Sequence, residues 1–141
     1  MTEKTAKIKI QDVYVIDPVA FFGALVAAPL AVAVGGVWAA GIPVFALVLG
    51  GPFYLVIGVP VLLWHLAHRP PEPGRIAVLA FVSFAIPAAL CMAYLLLVFG
   101  QRAAEDLAIF VFFGLIFAPL WGGVFGIFYR KFQREIYAHP I

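Results

Sequence analysis

Residues 18–68 read PVAFFGALVAAPLAVAVGGVWAAGIPVFALVLGGPFYLVIGVPVLLWHLAH and contain no Asp, Glu, Lys or Arg. One crossing of a bilayer takes roughly 20 apolar residues in helix, so this stretch is long enough for two. Hydrocarbon offers no water to backbone N–H and C=O groups, and a helix satisfies them within its own segment. Gly41-Ile42-Pro43 supplies the break, with Trp38 just before it at interfacial depth. Asp17 followed by Pro18 provides an N-cap and a proline suited to the first helical position. The spacing predicts a first span over 18–40 and a second over 44–66, the latter ending near Trp64 and His65.

Beyond this stretch the pattern repeats. His68 to Arg75 is rich in proline and charge and reads as a hairpin loop; a third apolar run covers 76–99 and stops at Gly100-Gln101-Arg102. A fourth covers 107–129, preceded by Glu105-Asp106, which suit a helix N-terminus. Its Leu, Ile, Val and Phe residues each favour insertion by roughly 0.3–0.6 kcal/mol, with no charge opposing them. The expectation is an all-α integral membrane protein, a bundle of four transmembrane helices forming one membrane domain. A segment over 1–17 and a tail over 130–141 flank it.

Composition agrees. Apolar residues make up 65% of the 141 and charged residues 11%. An ordinary soluble domain has about 45–50% and about 25%, so a polar shell could not be built from these residues. A net charge of +2 without a basic run argues against a nucleic-acid partner. Cys91 is the only cysteine, which excludes an intramolecular disulfide and a cysteine-based metal site. The apolar run begins at Val19 and far exceeds the roughly 7–15 residues of a secretory signal core, so no cleavable signal is expected.

Lys4, Lys7, Lys9, Arg69, Arg75, Arg130, Lys131 and Arg134 fall on one side of the predicted membrane, and Arg102 alone on the other. By the positive-inside rule both termini are expected in the cytoplasm. The Ala, Gly, Val and Pro usage suggests a bacterial inner membrane. Ile8, Ile10 and Val13 to Ile16 make the N-terminal segment apolar enough for a short strand or an interfacial stretch. In the tail, Phe128, Phe132 and Ile136 recur every four residues among Arg130, Lys131, Arg134 and Glu135. That pattern fits either an amphipathic extension of the last helix or a frayed basic end.

Small residues at four-residue spacing let helices approach closely in lipid. Two such series stand out: Ala27, Ala31, Gly35 and Ala39 in the first span, and Gly114, Ala118, Gly122 and Gly126 in the last. A weaker one is Ala85, Ala89 and Ala93. One of the two main grooves is expected inside the molecule and the other at an oligomer contact. Each span also carries an internal proline: Pro29, Pro52 with Pro60, Pro87 and Pro119. Gly50-Gly51-Pro52 is the place where the second span could break.

Chemistry-bearing residues are scarce in the spans. They hold no ionisable carboxylate or amine, and their polar groups are Ser83, Tyr54, Tyr94, the tryptophan N–H groups and, at an edge, His65. Transport and proton relay through a membrane ordinarily leave such charged residues behind. The chain resembles neither the small four-helix multidrug antiporters, which need a carboxylate in the first helix, nor the dual-topology fluoride channels, which need buried asparagine. No catalytic constellation, cofactor site or metal site is expected. The weak candidates on the cytoplasmic face are His65, His68, Arg69 and Arg75, where histidines three apart could share a side of the helix. The expected role is a structural or accessory subunit, or an assembly factor, acting through helix packing on a membrane-protein partner or on further copies of itself. The alternative is an oligomeric transporter or permeability element for an apolar or lipid-like substrate.

Overall fold

The computed structural model describes residues 16–36 and 41–137, and among these the chain is helical with no strand. Helix α1 spans Pro18–Gly35, α2 Ile42–Phe53, α3 Val59–His68, α4 Pro73–Phe99 and α5 Gln101–Tyr137. A π-helical turn, Tyr54–Gly58, joins α2 to α3, so Ile42 to His68 runs as one unbroken helix. Four helices are thus long and apolar enough to cross a membrane. The apolar N-terminal stretch, Trp38, Ala39 and His139 lie outside the described residues.

Local sequence accounts for the helix ends. The Asp17 carboxylate accepts the N–H groups of Val19 at 2.8 Å and Ala20 at 3.1 Å, and Pro18 occupies the first turn. These N–H groups have no partner inside a helix, so the cap removes a desolvation cost that lipid would magnify. At the other end α1 stops at Gly35, earlier than the predicted 40. Gly36 turns there and packs against Pro43 at the start of α2. The chain re-enters helix after Gly41, whose φ of 73° suits glycine.

Gly50-Gly51-Pro52 does not break the second span. The irregularity falls just after it, where the Val59 N–H reaches back five residues to the Tyr54 carbonyl. Pro52 and Pro60 each withhold an N–H from the ladder, and the wider π turn lies between them. Pro29, Pro87 and Pro119 sit inside α1, α4 and α5 without interrupting them.

The largest difference from the sequence reading lies in the last helix. Residues 100–106 are not a loop: Gly100 alone, at φ 82°, separates α4 from α5. Gln101 donates to Glu105 across the first turn of α5 at 2.8 Å. At its other end α5 continues through the basic tail, where Phe132 stacks on Phe128 with ring centroids 5.8 Å apart and lies against Gly23 of α1. Packing on α1 gives that extension a reason to stay helical.

Packing is uneven along the helix axes. α4 and α5 form an antiparallel hairpin, and α1 lies along α5. The buried cluster gathers where α1 and α4 begin and α3 and α5 end, around Phe21, Leu25, Leu66, Ile76, Phe125 and Tyr129. The Phe21 ring meets Phe125 edge-on at 5.5 Å, and Phe125 stacks on Tyr129 at 5.7 Å. Such aromatic pairs contribute roughly 0.5–1.5 kcal/mol beyond their buried area. Toward the opposite end, large apolar side chains face outward, Leu97 being 87% exposed. Water would penalise that surface; lipid does not.

Candidate functional site

The two small-residue series take different positions. On α5, a Cβ at Gly122 would lie 2.7 Å from the Ala80 methyl and 3.0 Å from the Ile76 carbonyl, and one at Gly126 2.7 Å from the Pro73 backbone. A Cβ at Gly114 would strike the Phe84 ring. Gly114, Gly122 and Gly126 therefore line the seam with α4, and Ala118 lies beside them on the wall of a cavity. On α1 the buried alanines are Ala20, Ala24, Ala28 and Ala33. Ala27 is partly covered, Ala31 and Gly35 are exposed, and nothing approaches Gly35. The α1 face used internally is thus the one bearing Phe21 and Leu25, whose bulk fills space beside α5.

His65, His68, Arg69 and Arg75 share one end of the molecule, but no side-chain hydrogen bond joins them among the described residues. His65 is 6% exposed, turned into the protein, and its Nε2 has no hydrogen-bond partner among the described residues. His68 faces outward, its Nδ1 2.8 Å from the Trp64 carbonyl. Arg75 pairs with Glu72 at 2.6 Å in an exposed position, and Arg69 is exposed. The carboxylate-plus-arginine pairing on the loop is an ordinary surface ion pair.

The feature that the sequence did not mark is a cavity of about 440 Å³ between the second span and the α4–α5 hairpin. The second span meets that hairpin at few points, chiefly where Gly50 lies against Trp121 and where the Tyr54 ring meets Trp121 edge-on at 5.5 Å. Phe53, Phe84 and Phe110 form much of the wall, with Phe84 edge-on to Phe53 at 5.1 Å. The space extends from Ile42 and Asp106 at one end to Leu62 and Trp121 at the other. Along α5 that is fifteen residues, roughly 22 Å at helical rise. It is an elongated, apolar groove.

Besides Asp106 at its end, the lining includes three polar residues, Ser83, Tyr54 and Trp121. Ser83 donates its hydroxyl to the Ala80 carbonyl at 3.0 Å, the usual arrangement for a serine inside a helix. Tyr54 Oη and Trp121 Nε1 are buried and find no hydrogen-bond partner among the described residues. Trp121 is 3% exposed. A buried donor left without an acceptor costs roughly 1–3 kcal/mol, and both sit at the tightest part of the groove wall. The slot offers an apolar surface, with the two unpartnered donors enclosed within its wall. Both residues were visible in the sequence as polar groups within spans, but only the gap between helices gives them a common setting. A second hollow, at the opposite end of α5, is lined by Arg130, Lys131 and Arg134 beside Pro73, matching the basic flank expected at that end. No protein-family model matches the chain, and no curated protein or solved structure is significantly similar to it.

Proposed function

We propose that this chain is a multi-pass protein of a bacterial inner membrane, with both termini cytoplasmic, that holds an apolar, lipid-like molecule in the groove between its second span and the α4–α5 hairpin. The observation that carries this reading is the groove itself: about 440 Å³ of apolar-walled space at membrane depth, with Phe53, Phe84, Phe110 and Trp121 on its wall. Sites for small molecules are typically concave and mostly apolar, with a few placed polar groups. The lack of charged side chains in the spans suits an uncharged guest. The orientation rests on the distribution of Lys and Arg, and the bacterial membrane on composition. The test is to purify the protein in mild detergent, extract what accompanies it and identify it by mass spectrometry. Ala46, which lines the groove on α2, is replaced by Phe to fill the space. Loss of one compound from the variant supports the reading; identical extracts from both proteins count against it.

A second reading, an accessory subunit or assembly factor, draws on a separate observation. Ala31 and Gly35 lie uncovered on α1, flanked by exposed Leu30 and Val34, as a helix-packing surface for another membrane protein would. Native purification that yields a stoichiometric partner would favour this role, and recovery of the chain alone would argue against it. The groove is the more specific feature, because the glycine series on α5 is already occupied by α4 and leaves only the shorter α1 stripe for an outside contact.

A further inference from the structure

We infer that the hollow between the start of α4 and the end of α5 seats one anionic phospholipid of the surrounding leaflet, its phosphate held by Arg130 and Arg134 and an acyl chain lying along the outer face of α5. The hollow is lined by Pro73, Ile127, Arg130, Lys131 and Arg134 and shares no residue with the groove, so neither inference depends on the other. Gly126 shapes it. A Cβ there would lie 2.7 Å from the Pro73 Cα, so the first turn of α4 is drawn against α5 one turn before Arg130.

Helical register then sorts the outer face of α5. At 3.6 residues per turn, positions 116, 120, 127, 130, 131 and 134 fall on one side of a helix. Ile116, Leu120 and Ile127 are exposed apolar side chains, and Arg130, Lys131 and Arg134 are exposed beginning one turn beyond Ile127. This face passes from apolar to cationic within a turn, which is the order of groups in a phospholipid. From Ile116 to Arg130 is roughly 21 Å at helical rise, enough to cover the roughly 15 Å of hydrocarbon in one leaflet.

Charge selects the head-group. Glu72, next to Pro73, is committed to Arg75. Arg130 and Arg134 have no carboxylate partner among the described residues, and residues 130–135 carry a net charge of +2 even with Glu135 counted. Guanidinium groups match phosphate oxygens in charge and geometry. A zwitterionic lipid would bring its own cation to a hollow whose lining holds no carboxylate, so an anionic head-group such as phosphatidylglycerol is the better complement. The first turn of α4, which no side chain caps, adds positive potential on the Pro73 wall. Basic pockets between helices at a membrane face are a recurrent seat for anionic lipid head-groups.

The experiment titrates the full chain, purified in a mild non-ionic detergent, with phosphatidylglycerol and phosphatidylcholine of identical acyl chains, and native mass spectrometry counts the lipids bound. One phosphatidylglycerol should bind about tenfold more tightly than phosphatidylcholine. Arg130→Gln combined with Arg134→Gln should bring the two lipids within about twofold. Arg69→Gln combined with Arg102→Gln removes the same charge from exposed positions outside the hollow and should leave the preference intact. All four arginines are exposed, so neither double variant disturbs the core. Equal affinities for the two lipids in the unmodified chain overturn the inference. Equal losses in the two double variants also overturn it and reduce the three cations to an ordinary basic flank. Glycerol phosphate bound as tightly as the lipid makes the occupant a soluble phosphate and overturns it as well.

Discussion

Gly122→Ala should weaken the α4–α5 hairpin measurably, although it adds a single methyl to a helix. The added carbon would sit 2.7 Å from the Ala80 methyl, 3.0 Å from the Ile76 carbonyl oxygen and 3.4 Å from the Ala77 Cα. Two of those three neighbours are backbone, so no rotamer change relieves the clash and the two helices must separate. Overpacking of this kind costs typically about 1–3 kcal/mol. Alanine in place of a helical glycine returns up to about 1 kcal/mol through lower chain entropy. With the full gain subtracted, the net destabilisation is about 0–2 kcal/mol. Gly123→Ala is the matched control, since its Cβ would rest 3.6 Å from the Ala77 methyl, an ordinary contact. It should be neutral or stabilising by a few tenths to about 1 kcal/mol. Reversible unfolding in mixed micelles by increasing fractions of a denaturing detergent, followed by tryptophan emission, measures both. Equal midpoints for Gly122→Ala and Gly123→Ala would refute the reasoning, because the helices would then not be in contact at Gly122.

Gly114→Ala places its added carbon against the tip of the Phe84 ring, a side chain rather than backbone, so the ring should be driven toward the groove and stability should fall by less than in Gly122→Ala in the same unfolding assay. Asp17→Ala removes an acceptor for two N–H groups and should cost about 1 kcal/mol in the same unfolding assay, with Asp17→Asn retaining most of it. Arg75→Ala breaks an exposed ion pair and should shift stability by less than about 1 kcal/mol. In intact cells of a Cys91→Ser background, a cysteine at Arg102 should react with an impermeant maleimide and one at Arg134 should not; the reverse pattern would invert the proposed orientation.

The four greasy runs were legible because insertion energy accumulates residue by residue and needs no knowledge of neighbours. Asp17-Pro18 and Gly41-Ile42-Pro43 were legible for the same reason: caps and turns are local. The last helix begins earlier than Glu105-Asp106 suggested, at Gln101, because polar side chains are welcome on a helix that extends into water and Gly100 suffices for the turn. The α1 stripe of Ala27, Ala31 and Gly35 obeyed the packing rule as well as the α5 series did. Only one face of α1 could meet α5, however, and burying Phe21 against Phe125 and Tyr129 removes more apolar surface than an alanine stripe can. The groove was illegible because it is made by helices that fail to touch. Tyr54 and Trp121 are far apart in sequence and acquire meaning only through the space they share.

The one-residue joint at Gly100 has a consequence for how the protein is made. With nothing but a glycine between them, α4 and α5 are held side by side by the chain itself, which favours their entry into a bilayer as a ready-made hairpin. Until that moment Phe21 has neither Phe125 nor Tyr129 to rest on, and the first helix waits in lipid with its inner face uncovered. A lengthened joint would let α4 settle alone and set the order of assembly adrift, even if the finished molecule were unchanged.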